Sequence, residues 1–352
     1  MTLDELTRTT GEWLRGTGPL ADVVISSRVR LARNLASYPF LASASSTERT
    51  EIYRILANEV TRPDTGADAL LIDMEETDKI DRRVLVERHL VSRQHAASRG
   101  SRGVSISPSE TRALMINEED HLRIQGLRSG LQLEAAWEEV NAIDDLLSKT
   151  LAFAFDKQFG YLTACPTNVG TGIRVSVMLH LPALKLTKEI ERVERAARDM
   201  RLAVRGLYGE GTDAIGDLFQ ISNQTTLGKS EEEVISVFGK KVIPKIVDYE
   251  RAARGALVRE RAAQLDDKVW RAYGILSNAR CMGTEETQVL LSPIRMAINM
   301  GRFDRMDIAT LNEVFLHTQQ AHLQKLHGEP LDDEQRSIVR ADYLRRRLGG
   351  MN

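Results

Sequence analysis

Four short motifs in the N-terminal part of the chain place arginine beside serine, carboxylate or cysteine side chains. They are SSRVR at 26–30, NEEDHLRIQ at 117–125, CPTNVGTGIR at 165–174 and RGLYGEGTDA at 205–214. Their arginines are Arg28, Arg30, Arg123, Arg174 and Arg205. Guanidinium groups form paired, charge-assisted hydrogen bonds with phosphate oxygens, so arginines that converge would bind a polyanion such as a triphosphate. Glu119 and Glu210, on separate motifs, would hold a cation beside it.

Each motif taken alone also has an ordinary structural interpretation. NEEDHLR is typical of a solvated loop, and Arg28 and Arg30 fit the polar face of a strand equally well. A lone cysteine such as Cys165 is more often a buried apolar residue than a nucleophile. His89 favours a structural role, and the glycines around Glu210 indicate a turn. The chain contains neither GxxxxGK(S/T) nor an HRD and DFG pair, so the common nucleotide-kinase templates are absent.

Hydrophobic patterning predicts the elements that must position these motifs. Strand-length apolar runs occur at 22–30, 69–74, 112–116 and 202–206. In IRVSVMLHL, at 173–181, the odd positions are apolar, so the other face carries Arg174, Ser176, Met178 and His180 as the exposed or site-facing side. Helical spacing occurs at 132–155 and at 187–200, where Thr187 is the expected N-cap. The mixture favours an α+β fold over a doubly wound sheet.

After Gly228 the patterning becomes helical throughout. Ser230 and Glu233 are spaced as a capping box, and no convincing strand follows. Helices are predicted at 242–267, 284–299, 307–326 and 331–348. We therefore predict an α+β domain over residues 1–255 and an α-helical domain over residues 256–352, for regulation, substrate or dimer contacts.

Composition excludes several classes of protein. With 48 Lys+Arg against 50 Asp+Glu, the formal net charge is -2, which gives no overall attraction to nucleic acid or membrane. No apolar run reaches the length of about 18 residues that a transmembrane helix needs, and the N-terminus does not have signal-peptide character. Cys165 and Cys281 are too few for a disulfide framework. These features predict a globular cytoplasmic protein.

CPTNVGT resembles the signature of the phosphagen kinases, the ATP:guanido phosphotransferases that include arginine and creatine kinases. NEEDHLR and the GEGT loop are similar to other hallmarks of that family, in the same order along the chain. YLTACPTNVGTG, YGEG and ISNQTTLGKS are similar to the bacterial protein-arginine kinases. The resemblance covers about 22–228. It implies a catalytic domain with an antiparallel sheet flanked by helices, followed by an all-α C-terminal domain.

The position of the motifs along the chain indicates whether the acceptor is a free amino acid or an arginine in a protein. Small-molecule phosphagen kinases carry a helical domain before the catalytic part, whereas here SSRVR begins at residue 26. The resemblance therefore implies that the site admits an arginine on a polypeptide, so that proteins bearing arginine are the substrates.

By this resemblance, Mg-ATP donates its γ-phosphoryl group to a guanidinium nitrogen. The implied nucleotide-binding residues are Ser26, Ser27, Arg28, Val29, Arg30, His89, Arg123, Arg174, Val175, Ser176, Val177, Met178, Arg205, Gly206, Leu207, Tyr208, Gly209 and Glu210. Met178 stands where metazoan arginine kinases have histidine, so the adenine or ribose contact there is apolar or absent. Mg²⁺ is expected to coordinate chiefly phosphates and water, because the sequence contains no dedicated Asp cage.

The implied catalytic residues are Glu119, Cys165 and Glu210. A guanidinium is protonated at physiological pH and is not nucleophilic in that form. The two glutamates would orient it by bidentate hydrogen bonds, and we favour Glu210 as the base because its loop adjoins Arg205. Cys165, as a thiolate, would offer an anionic contact. Positioning and charge complementarity would supply most of the rate.

Near the C-terminus, residues 336–341 are similar to the RDxxRA motif with which protein-arginine kinases bind phosphoarginine allosterically. The motif residues here are Arg336, Ser337, Arg340 and Ala341. Ser337 replaces the aspartate that would pair with the guanidinium part of phosphoarginine, whereas the arginines that bind phosphate remain. An exposed basic helix face explains the segment equally well.

Three other functions stay open at this stage: a small-molecule arginine kinase, a non-catalytic adaptor that binds arginine-phosphorylated proteins, and a DNA-binding regulator that uses RADYLRRRL at 340–348. The family resemblance implies that modification marks stress-response repressors and damaged proteins for the Clp protease machinery. It also implies an activator protein and a homodimer formed through the helical domain.

Overall fold

The computed structural model describes residues 2–66, 68–207 and 214–349. Its strands are β1 (Val24–Arg33), β2 (Leu70–Asp73), β3 (Gly103–Ile106), β4 (Arg112–Ile116), β5 (Leu122–Ser129), β6 (Phe155–Asp156), β7 (Gly160–Tyr161), β8 (Ile173–His180), β9 (Leu202–Arg205) and β10 (Leu218–Asn223). Its α-helices are α1 (Leu3–Leu6), α2 (Ser46–Val60), α3 (Pro63–Gly66), α4 (Lys79–Glu87), α5 (Arg93–Ala97), α6 (Leu133–Ser148), α7 (Pro182–Leu186), α8 (Ile190–Asp199), α9 (Glu231–Val237), α10 (Ile243–Asn278), α11 (Thr284–Asn299), α12 (Ile308–His317), α13 (Gln320–His327) and α14 (Asp333–Leu348). Short 3₁₀ turns lie at Glu12–Leu14, Pro166–Asn168 and Ile215–Asp217, and a π-helical turn at Phe238–Val242.

Eight of the strands form one antiparallel sheet in the order β2-β3-β4-β5-β1-β8-β10-β9. The central strand β1 pairs with β5 on one side and with β8 on the other. The sheet flanked by helices confirms the predicted α+β class. Among the described residues no strand follows Asn223, which confirms the helical character of the C-terminal part.

One face of the sheet packs against α6. Val29 and Leu31 of β1 are fully buried there together with Ala136 and Val140 of the helix. The contact is close, because a Cβ on Gly126 of β5 would lie 2.5 Å from the carbonyl oxygen of Ala136. Each buried aliphatic side chain of this size contributes about 1.5–3 kcal/mol, so this face carries much of the stability of the sheet.

The C-terminal helices pack on the same continuous core as the sheet. Glu87, at the end of α4, accepts hydrogen bonds from the backbone N–H groups of Ala321 (2.8 Å) and His322 (3.0 Å) in the first turn of α13. A carboxylate satisfies the free N–H groups of a helix start and complements its dipole. The helical part is thereby tied to the segment that leads into His89.

Four predicted helix boundaries differ from the structure. Helix α6 ends at Ser148 instead of near residue 155, because the chain after it runs beside the end of β1: the N–H of Ala36 donates to the carbonyl of Ala152, and the N–H of Ala154 donates to that of Asn34. Thr187 is the C-cap of α7 and not the N-cap of the next helix, which starts at Ile190. The predicted helix at 307–326 is two helices, α12 and α13. The predicted helix at 242–267 is longer, since α10 continues to Asn278 past non-helical backbone angles at Arg261.

The predicted domain boundary between residues 255 and 256 falls within α10 and stays a prediction. None of the helices in the described part of the chain is long and apolar enough to span a membrane.

Candidate active site

The sheet register places the five predicted arginines on one face. Arg30 lies opposite Arg174 of β8, and Ala32 lies opposite Arg123 of β5. Gln220 of β10 lies opposite both Met178 and Arg205. Paired residues in a sheet point to the same side, and side chains alternate along each strand. Arg28, Arg30, Arg123, Arg174 and Arg205 therefore share the face opposite α6.

These side chains line a cavity of about 260 Å³. Its other lining residues include His89, Ser92, Arg93, Glu118, Glu119, Cys165, Asn168, Gly172, Leu207 and Gln220. Motifs that are up to about 180 residues apart in sequence thus meet around one space, as the sequence predicted for its arginines, for Glu119 and for Cys165.

Arg28 and Arg30 are not neutralised by a salt bridge among the described residues. Arg28 donates to neutral acceptors, Ser176 Oγ at 3.2 Å and Gln220 Oε1 at 3.0 Å. Burial, and then the charges of Arg174 and Arg123, lower the pKa of Arg28 to about 10. Burial and the neighbouring arginines also lower the pKa of Arg30 well below its ordinary value. Arg28 is still protonated at neutral pH, so the cavity holds positive charge that an anion would stabilise.

Arg123 differs, because it is surrounded by carboxylates. It pairs with Glu118 at 2.6 Å, Glu119 at 3.0 Å and Asp120 at 3.5 Å. Burial alone would lower the pKa of Arg123, but these carboxylates raise it above its ordinary value. Burial would likewise raise the pKa of Glu118, whereas Arg123 and a 2.6 Å hydrogen bond from Ser92 Oγ lower it. This end of the cavity is therefore a network of charges that neutralise one another.

Asp120 joins the acidic motif to the cysteine motif. Its buried carboxylate accepts from the backbone N–H of Ala164 (2.7 Å) and from Asn34 Nδ2 (2.8 Å). Cys165 follows Ala164 directly and precedes the 3₁₀ turn Pro166–Asn168, with its Sγ 3.1 Å from Thr167 Oγ1. Glu119 lies at the rim, with 40% of its side chain exposed. A carboxylate and a thiol are thus presented at the mouth of the cavity.

A narrow recess continues from the cavity past Arg28. It is lined by Ser26, Arg28, His89, Leu127, Ser176, Met178 and Gln220. His89 has left-handed backbone geometry (φ 58°), and its carbonyl accepts a 2.8 Å hydrogen bond from Gln125. Its ring packs edge-on against Trp13, with centroids 4.3 Å apart. Burial, Arg28 and Arg93 lower the pKa of His89 to about 3, so the ring is neutral at physiological pH.

Some predicted nucleotide-binding residues do not line either space with their side chains. Ser27, Val29, Val175 and Val177 alternate with the cavity residues and are buried on the face that packs on α6. Ser27 Oγ donates to the carbonyl of Gly130 at 2.7 Å and accepts from the N–H of Gln132. These residues support the arginines beside them. Gly206 is not among the lining residues, and Tyr208, Gly209 and Glu210 lie outside the described residues.

Sequence reasoning missed several residues of the cavity. Gln220 was overlooked, although LFQISN alternates polar and apolar positions as a strand with one site-facing side would. Glu118 and Asp120 stand inside a motif that was singled out, but only their burial distinguishes them from Glu119, whose side chain is 40% exposed. Ser92 carried no sequence signal, because its place depends on the turn after α4.

The C-terminal motif is largely engaged within the fold. Arg340 is 2% exposed and donates to the carbonyls of Thr318 (2.7 Å) and Met282 (2.9 Å). Burial lowers its pKa to about 10. Arg336 donates to the carbonyl of Leu331 at 2.5 Å, Ser337 is partly buried, and Ala341 is fully buried. Arg340 is therefore not part of an exposed basic face, and phosphoarginine binding by the motif stays a prediction.

Within the described ranges, no group of three or more His, Cys, Asp or Glu side chains is arranged to hold a metal ion.

Two family models match the chain. Residues 51–253 match the ATP:guanido phosphotransferase C-terminal catalytic domain, and residues 262–352 match the protein-arginine kinase McsB C-terminal domain. Among curated relatives, a protein-arginine kinase of Symbiobacterium thermophilum is 45% identical over 97% of this chain and 98% of its own length. One from Halothermothrix orenii is 44% identical over 98% of each chain.

Two solved structures with the same fold are kinases by name. The duplicated taurocyamine kinase from Schistosoma mansoni with bound transition-state-analogue components has a TM-score of 0.61 and 25% identity, over 71% of this chain and 36% of that one. A lombricine kinase has a TM-score of 0.58 and 26% identity, over 69% of this chain and 70% of its own.

Proposed function

The chain belongs to the ATP:guanido phosphotransferase family and within it to the protein-arginine kinases, and on that premise we propose how its cavity works. The protein is a kinase that transfers the γ-phosphoryl group of ATP to the guanidinium of arginine residues in proteins. The observation that carries this function is the arrangement of the five arginines around one buried cavity, with Glu119 and Cys165 at its mouth.

Arg28, Arg30, Arg174 and Arg205 bind the triphosphate in this proposal. Arg28 and Arg30 form no salt bridge with the described residues, and this supports the assignment, because phosphate oxygens would be their anionic partners. In this proposal the nucleoside lies on the side of the cavity toward His89 and Met178. Magnesium, by its usual preference for phosphate oxygens and water, would be held mainly by the nucleotide and would neutralise charge on the transferred group.

The acceptor guanidinium lies at the acidic end of the cavity. Glu119 and Glu210 orient it by bidentate hydrogen bonds, Cys165 supplies a further contact, and Glu210 receives the proton as attack proceeds. Arg123 holds Glu118 and Glu119 in place and so connects the phosphate end to the acceptor end. Such preorganised charges can provide most of the rate in phosphoryl transfer.

The test uses labelled Mg-ATP with an arginine-rich unfolded protein and, separately, with free L-arginine. We expect acid-labile phosphate on the protein, and its loss in Cys165→Ala, Glu119→Gln and Glu210→Ala. Cys281→Ala is the matched control, because Cys281 is an exposed free cysteine outside the lining of the cavity. Label on free arginine alone would instead identify a small-molecule kinase. Absence of label from both acceptors in the presence of an activator would refute the proposal.

Family membership also supports proposals about biological context. We propose that the enzyme acts in the cytoplasm, responds to an activator protein, works as a homodimer, and marks stress-response repressors and damaged proteins for Clp-type proteolysis. Mass determination by light scattering tests the dimer. A Clp degradation assay that compares phosphorylated with unmodified substrate tests whether arginine phosphorylation marks proteins for proteolysis.

A further inference from the structure

A second, larger cleft of about 850 Å³ lies beside the catalytic cavity. Val86, Arg93 and Leu207 line both spaces, so the two are contiguous. Helices α4 and α5 form one wall of the cleft, and the first turns of α11 and α13 form the other. A polypeptide whose arginine enters the catalytic cavity would therefore have this cleft as a path for the adjoining residues.

The α4 wall presents a cationic stripe. Lys79, Arg82 and Arg83 all line the cleft, and their i, i+3, i+4 spacing places them on one face of the helix. Like charges at this spacing destabilise a helix. None of the three forms an ion pair with a carboxylate of the described residues, and the buried Nε of Arg82 lacks a hydrogen-bond partner there. The stripe thus resembles Arg28 and Arg30, which also form no salt bridge with the described residues.

Among the described residues, the opposite wall offers little negative charge to these cations. It consists mainly of uncharged polar side chains, such as Thr284, Gln288 and Gln320. The carboxylates among the described lining residues belong to Glu87 and Glu285. Glu87 already accepts hydrogen bonds from the N–H groups of α13, which leaves Glu285, among the described carboxylates, opposite the three cations of α4. The mouth is accessible, since Lys79 and Arg83 are exposed.

We propose that this cleft, which we call the flank cleft, binds the polypeptide next to the target arginine and selects acidic residues in it. The inference rests on the proposed function, and it specifies the substrate class as arginines with aspartate or glutamate nearby. Opposite charges at the rim of a binding site mainly accelerate association and suppress mismatched partners, and their effect falls as salt is added.

The experiment compares three synthetic peptides, each with a single central arginine, whose flanking residues are aspartate, serine or lysine. Phosphorylation with labelled Mg-ATP gives kcat/KM for each peptide at low and at high salt. The same series is run with Lys79→Glu/Arg83→Glu. The matched control is Arg259→Glu/Lys268→Glu, which changes the net charge equally at exposed positions of α10 that line neither cavity.

For the wild type we expect the aspartate-flanked peptide to exceed the lysine-flanked peptide about five- to tenfold at low salt, as two weak ion pairs would give. The ratio should invert in Lys79→Glu/Arg83→Glu and persist in the control. Because the ratio is taken within one enzyme, partial loss of folded protein does not affect it.

Two results would overturn the proposed role of the flank cleft while leaving the kinase function intact. One is a wild type that phosphorylates all three peptides equally. The other is a kcat/KM ratio of aspartate- to lysine-flanked peptide that is unchanged in Lys79→Glu/Arg83→Glu. A wild type that labels free arginine but no peptide would overturn the proposed function itself. An inverted ratio in the α10 control would show that net charge, and not this cleft, sets the preference.

Discussion

Arginines on the two faces of strand β1 have opposite electrostatic surroundings. On the face covered by α6, Arg33 is 1% exposed and forms a two-pronged hydrogen-bonded ion pair with Asp144, with Nε to Oδ1 at 2.9 Å and Nη2 to Oδ2 at 2.7 Å. On the cavity face, Arg28 and Arg30 are partly buried and form no salt bridge with the described residues; neutral acceptors and other arginines lie beside them, and Glu118 is the carboxylate that acts on Arg30. Because a buried charge is costly unless it is paired, the unpaired positions on the cavity face indicate a ligand as the missing partner.

The largest effect is expected from breaking the paired face. Arg33→Met removes one member of a buried pair and leaves the Asp144 carboxylate uncompensated, which should lower the free energy of unfolding by about 3–5 kcal/mol. Urea denaturation followed by circular dichroism measures this loss. The double variant Arg33→Met/Asp144→Leu should recover much of it, and a single variant as stable as the wild type would show that the pair is not what stabilises this face.

Removing charge from the cavity face should act on catalysis instead. Arg30→Met is expected to lower kcat/KM by about 10²–10³-fold, because a preorganised donor to the transferred phosphoryl group is lost. The free energy of unfolding should stay the same or rise, since repulsion from Arg28 and Arg174 is relieved. Kinetics and denaturation of the same preparation give both quantities. Marked destabilisation of Arg30→Met without a catalytic defect would show that Arg30 stabilises the fold, as Arg33 does, and does not serve catalysis.

The burial of His89, together with the positive charge beside it, should also appear in the pH dependence of stability. His89 has its pKa lowered from 6.5 to about 3, so the unfolded state takes up a proton between these values and the folded state does not. Its contribution to stability is present above pH 6.5 and is lost as the pH falls below it, by about 1.4 kcal/mol per pH unit. Replacement by asparagine, which tolerates the left-handed backbone at this position, should therefore reduce the loss of stability between pH 6.5 and pH 5 by about 2 kcal/mol.

Urea unfolding at the two pH values tests this difference between wild type and His89→Asn. Because His95, His180 and His317 also have lowered pKa values, both proteins should still lose stability on acidification. Identical losses would mean that His89 is not kept neutral by the arginine cavity.

The smallest effect is expected at a neutral partner of the unpaired arginines. Ser176→Ala removes the hydroxyl that accepts from Arg28 Nε, a contribution of about 1 kcal/mol, and should raise the KM for ATP about fivefold. Stability should change little, because Arg28 keeps its bond to Gln220. Steady-state titration of ATP measures the shift. An effect as large as that of Arg30→Met would mean that Ser176 itself contacts the nucleotide.

Local patterns predicted the strand β8 and the helix α11 well, because period-two alternation and helical spacing are properties of neighbouring residues. They failed where distant segments intervene. Residues 149–155 have helical spacing but leave α6 to pair with the end of β1, and Thr187 ends a helix because Pro182 begins one five residues earlier. The sequence predicted Arg28, Arg30, Arg174 and Cys165 as site residues by their motifs, but it did not show that the neighbouring carboxylates form ion pairs with Arg123 and, among the described residues, none with Arg28 or Arg30.

By itself, the sequence determined the family, the chemistry and the residue types of the catalytic motifs, since these depend on short runs such as CPTNVGT. Tertiary structure alone decided which charges are compensated. Whether Arg33 or Arg30 meets a carboxylate depends on the register of β1 against its neighbours and on the helix that covers each face. Likewise, the stripe on α4 became part of a cleft only because the starts of α11 and α13 lie opposite it. Electrostatic energy depends on distance and burial in three dimensions, and neither quantity is encoded locally.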